Sequence, residues 1–121
     1  MIEDKTLNKF IDLLESIKLS ESFSAMRHLP TEQTLNLKRK LRKQLERLPL
    51  NEQRYFYVLV KLGEEAPSDA HLTHFVRQEL KHPTDYQLDD LLRKENLIDA
   101  LLKGQNLIQK LPRDWLLSQF Q

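Results

Sequence analysis

Leucine dominates this chain at the expense of the residues that favour strands. Of its 121 residues 25 are leucine, against 3 valines and 5 isoleucines. Leucine loses little rotamer freedom in a helix, whereas β-branched side chains populate strands. Segments that alternate apolar and polar residues are nearly missing. The expected class is all-α: a compact bundle of about five to seven helices in a single all-helical domain over residues 1–121.

Prolines mark the helix boundaries. Leu29-Pro30, Leu48-Pro49 and Leu111-Pro112 repeat one device, because the residue before proline is pushed out of the helical region. Thr31, Asn51 and Asp114 follow as capping residues. His82-Pro83, followed by Thr84 and Asp85, makes a fourth boundary. Their spacing is irregular, so this is punctuation and not a repeat array. Helices are expected over about 4–18, 21–29, 32–48, 52–62, 69–81, 85–103 and 113–120, with a turn or two around 105–111. Gly63 is expected to cap the fourth helix and open a loop to Ser68, and Gly104 to break or bend the sixth. Ser20, Ser22 and Ser24 fall near the expected start of the second, where capping is their plain role.

The stretch Arg54–Leu62 has the aromatic and β-branched content of a strand. It has no second strand to pair with, which would leave its backbone unsatisfied. It is expected to be a helix, apolar all round and hence buried at the centre.

Composition removes whole classes of function. There is no cysteine, so no disulfide, thiolate nucleophile or Cys-ligated metal. The only glycines, Gly63 and Gly104, cannot build a phosphate-cradling loop. No apolar run approaches the roughly 18 residues that span a bilayer. The opening Met1-Ile-Glu-Asp-Lys5 is polar and unlike a signal peptide. A soluble cytoplasmic protein is expected, with no membrane partner and no cofactor.

The strongest local signal is Leu37-Lys-Arg-Lys-Leu41-Arg-Lys-Gln-Leu45-Glu-Arg-Leu48. At about 100° per residue the four leucines share an arc of about 80°. Lys38, Arg39, Lys40, Arg42, Lys43 and Arg47 cover most of the remaining circumference, interrupted only by Glu46. Residues 31–62 carry 8 positive and 3 negative side chains, while residues 63–121 carry 7 and 10. The formal net charge of +1 therefore conceals a basic middle and an acidic C-terminal half.

Such a cationic helix suits an acidic protein face or nucleic-acid phosphates. The plainer alternative is a solvated helix back. Dedicated nucleic-acid domains are usually basic overall, so a protein partner with an acidic or mixed surface is expected first and nucleic acid second. Tyr55, Phe56 and Tyr57 follow the basic helix and could stack on bases, although core packing is their ordinary use. The leucine seam is also a candidate surface for self-association.

Other clusters weigh less. His71 and His74 stand three apart and could form half a metal site, but Glu79 and His82 lie too far along the helix to complete it easily and no second element is marked to donate ligands, so no metal is expected. Asp89–Arg93 and Asp90–Lys94 are four apart and suit surface ion pairs better than acid–base chemistry. No Gly-x-Ser-x-Gly or His-Glu-x-x-His motif is present, and no enzyme is expected. Trp115, Leu116 and Phe120 either close the core or anchor in a partner groove. The expected function is a non-catalytic helical interaction module (a small subunit, adaptor or regulator) that uses its basic helix face with an apolar seam or C-terminal anchor.

Overall fold

A computed structural model of the chain describes residues 3–27, 32–81 and 88–120. The described residues form helices and turns with no strand. In order they are α1 (Asp4–Arg27), α2 (Glu32–Glu46), α3 (Leu50–Glu65), a 3₁₀ turn (Asp69–His71), α4 (Leu72–Lys81), α5 (Leu88–Leu92), α6 (Leu97–Ile108) and α7 (Arg113–Gln119). The all-α bundle is confirmed. The described chain falls into two compact units, Glu3–Leu48 and Pro49–Gln121. The Leu29-Pro30-Thr31 and His82-Pro83 boundaries, with His28 and His82, lie outside the described residues.

In the first unit α2 packs on α1. The expected face of α1 is buried in full: Leu7, Phe10, Ile11, Leu14 and Ile17. α1 runs nine residues beyond its expected end at 18, through the stretch assigned to a second helix. No proline or glycine interrupts it. Ser20 and Ser22 do not cap, either. Ser16 donates to the Asp12 carbonyl at 3.0 Å and Ser22 to the Lys18 carbonyl at 3.1 Å, bonds made inside a continuing helix. Ser20 instead shares a hydrogen bond with the hydroxyl of buried Thr34, a polar tie between the two helices. Ser24 has its side chain outside the described residues.

The second unit is built around α3. Tyr55, Phe56, Val58, Leu59, Val60, Leu62 and Gly63 are buried, but not all round as expected: Arg54, Glu64 and Glu65 are exposed and Tyr57 and Lys61 half-buried along one remaining stripe. Its main partner is α6, the most extensive helix–helix contact in the chain. Here both glycine expectations are overturned. Gly63 lies inside α3 and Gly104 inside α6, and neither has a positive φ. A Cβ on Gly63 would come within 1.7 Å of the Ala100 carbonyl oxygen, and one on Gly104 within 1.9 Å of the Leu59 oxygen. The two helices touch backbone to backbone, each glycine against the residue four before the other. Absence of a side chain, not freedom of φ, is what these positions require.

The true end of α3 is Ala66, in the left-handed region at φ 43°, whose N–H donates to the Leu62 carbonyl at 2.8 Å. The loop that follows is therefore shorter than Gly63–Ser68. At the helix starts, proline itself stands in the capping position. The Pro49 carbonyl accepts from the N–H groups of Glu52 and Gln53, each at 3.0 Å, and the Pro112 carbonyl from Leu116 at 3.0 Å. Asn51 and Asp114 sit inside the first turn and do not cap from outside it. Neither proline has a side-chain oxygen to offer, although the Asn51 Oδ1 accepts from the Glu52 N–H at 3.0 Å within the first turn of α3.

The expected helix 85–103 is broken between Leu92 and Leu97. Leu91 and Ala100 are both buried, yet nine residues would set them about 180° apart on one continuous helix. The break lets α5 bury Leu91 while α6 turns Ala100 and Gly104 to α3. α6 then absorbs Leu107 and Ile108, which were expected in a separate turn.

Candidate functional site

All six cations of the basic stretch are exposed on or just past α2, with Leu41 and Leu45 buried on its other side and Leu37 and Leu48 half-buried. The seam offered for self-association is thus largely covered within its own unit. The six cations then divide in two. Lys38 pairs with Glu21 of α1 at 2.8 Å, and Arg42 with Glu46 one turn on at 2.9 Å. Both pairs are about half exposed, so each contributes a few tenths of a kcal/mol to roughly 1 kcal/mol at most.

Arg39, Lys40, Lys43 and Arg47 meet no carboxylate among the described residues. On the helix they span an arc of about 100° on the side away from the leucines. Arg47 stays in helical register, its N–H donating to the Lys43 carbonyl at 3.1 Å. Lys43 has Lys40 three before it, Arg39 four before it and Arg47 four after it, three like charges within reach, against one carboxylate, Glu46, three after it. The helix dipole favours Lys43 in the last turn, but gives nothing comparable to Arg39 and Lys40 in the middle. Leu35 heads the same four-residue row as Arg39, Lys43 and Arg47, and is 49% exposed.

The remaining candidates are placed otherwise. Tyr55 and Phe56 are buried and Tyr57 is half-buried, so they pack the second unit and do not form an open stacking platform. The Tyr57 phenol is held above its ordinary pKa, first by burial and then by the carboxylate of Glu79, which also accepts its hydrogen bond, with Glu64 and Glu65 adding to it. Lys61 lies 5.8 Å from the Tyr57 ring centroid. Among the C-terminal candidates, Leu116 and Phe120 are buried. The Phe120 ring meets Tyr55 edge-on at 5.1 Å. Trp115 is half-buried, with the Arg77 guanidinium 5.5 Å from its ring. This end of the chain closes the core of its unit, and its two most apolar anchors are not free for a partner.

His71 and His74 are both exposed, and no group of three His, Asp or Glu that could hold a metal occurs among the described residues. Lys94 pairs with Glu64 of α3 at 2.7 Å and not with Asp90, while the Asp89 side chain lies outside the described residues. Lys110 pairs with Asp69 at 3.0 Å. No described helix is long and apolar enough to cross a membrane. Comparison with protein-family models, with curated proteins and with solved structures returned no match.

Proposed function

We propose that this protein is a non-catalytic, cytoplasmic interaction module, a small subunit, adaptor or regulator, that binds an acidic protein surface through the outer face of α2. One observation carries the reading. The fold pairs Lys38 and Arg42 with carboxylates of its own, yet leaves Arg39, Lys40, Lys43 and Arg47 mutually repulsive and exposed. A surface arranged for stability alone would intersperse the signs. A cluster of like charges held on a rigid helix is instead suited to steering and orienting a partner of opposite charge.

A protein partner is favoured over nucleic acid by the apolar neighbour of the stripe. Leu35 stands exposed at its head. An apolar side chain gains nothing against a phosphate backbone, whereas an apolar side chain of a protein partner can cover it. Affinity capture tests the reading with the native chain and with the combined variant Arg39→Gln, Lys40→Gln, Lys43→Gln. A partner protein is expected that survives nuclease treatment and is lost with the variant while circular dichroism shows both chains folded. Recovery that disappears on nuclease treatment would transfer the face to nucleic acid, and equal recovery by both chains would remove the role given to it.

A further inference from the structure

We infer that the occupant of the α2 face is an acidic amphipathic helix, packed on α2 with its own four-residue row alongside this one, one apolar side chain over Leu35 and carboxylates beside Arg39, Lys43 and Arg47. The inference rests on the preceding reading that α2 binds an acidic protein surface, and names what that surface is.

Leu35, Arg39, Lys43 and Arg47 form one uninterrupted row of residues four apart. Rows of this kind are the ridges that helices use when they pack on one another. Each step along the row advances by about 6 Å. A partner helix repeats its own surface with the same step, so carboxylates at every fourth position stay beside successive cations. The same-face residues of an extended strand advance by about 6.4–6.8 Å and drift out of step over the row. Lys40 widens the cationic side of the ridge. The apolar position at its head also fits a helix: Leu35 is 49% exposed on an otherwise polar face, and covering it rewards a partner with an apolar residue one turn before its first acid.

The test uses the full chain and two labelled helical peptides of identical composition. The first carries Leu and then three Glu at successive four-residue steps. The second carries the same residues five apart, so that they spiral around the helix. Fluorescence anisotropy is expected to show the stepped peptide binding about tenfold tighter. That preference should shrink in Leu35→Ser, an exposed substitution that leaves the core intact, and vanish in the combined variant Arg39→Gln, Lys43→Gln, Arg47→Gln. Equal affinities for the two peptides overturn the helical partner while leaving the acidic-surface reading standing. No binding of either peptide at low salt overturns both. Displacement of the stepped peptide by a short DNA duplex at lower concentration than by unlabelled peptide also overturns both, in favour of phosphate.

Discussion

Gly63 and Ala100 meet backbone to backbone: a Cβ on Gly63 would lie 1.7 Å from the Ala100 carbonyl oxygen. Gly104 and Leu59 repeat the relation at 1.9 Å. In an exposed helix interior, changing glycine to alanine stabilises by about 1 kcal/mol through propensity. Here the sign must reverse, because the atoms met are backbone and cannot swing aside. Gly63→Ala and Gly104→Ala are each expected to destabilise by about 3 kcal/mol or more. Urea unfolding measures it, and a stabilised Gly63→Ala would show that α3 and α6 are further apart.

Ala66 makes the opposite case. It ends α3 with φ 43°, where a Cβ is unfavourable. It is exposed, so nothing else depends on its methyl group. Ala66→Gly is expected to raise stability by about 0.5–1 kcal/mol, the relief of strain less the added freedom of the unfolded chain. An unchanged or lower urea midpoint would contradict the left-handed cap.

Tyr57 gives the alkaline behaviour a sign. Burial and the Glu79 carboxylate raise its folded pKa above the ordinary value near 10, so the folded state holds its proton longer than the unfolded state does. The contribution of this group is complete below pH 10 and is lost as pH rises through the raised folded pKa. Denaturant midpoints followed across this range should fall more steeply for the native chain than for Tyr57→Phe. Parallel curves would mean that the phenol feels no such environment.

The C-terminal helix should act as core. Phe120→Ala removes a buried ring in contact with Tyr55 and is expected to cost about 3 kcal/mol, and Leu116→Ala about 2–3 kcal/mol. Trp115→Ala, at a half-buried position, should cost less than either. Thermal unfolding orders the three. If Phe120→Ala leaves stability untouched, the segment is an anchor for a partner after all.

Helical class, the buried face of α1 and the central burial of the apolar residues of α3 were legible because each depends on local periodicity, which a sequence displays directly. The exposure of Lys38 through Arg47 was legible for the same reason. What divides those cations was not: Glu21 pairs with Lys38 from another helix, and no local pattern fixes which turn of α1 faces α2. The glycines misled because local rules treat glycine as a terminator. Their use at a helix crossing is visible only when Ala100 and Gly104 are seen four apart, as a small-residue face, opposite the one glycine of α3. The break before Leu97 escaped notice because Arg93-Lys94-Glu95-Asn96 contains neither proline nor glycine; it exists to turn a face, a tertiary demand.

The α2 face is tested most directly by measuring stability and acidic-ligand binding together on the combined variant Arg39→Gln, Lys40→Gln, Lys43→Gln. Removing three exposed cations that repel one another should change unfolding free energy by no more than about 0.5 kcal/mol, since the repulsion relieved offsets the lost dipole term at Lys43. Binding of a helical peptide with glutamates four apart should fall by at least about tenfold in the same protein. A variant that binds as the native chain does, or that loses well over about 1 kcal/mol of stability, would show that these side chains serve the fold and not a partner.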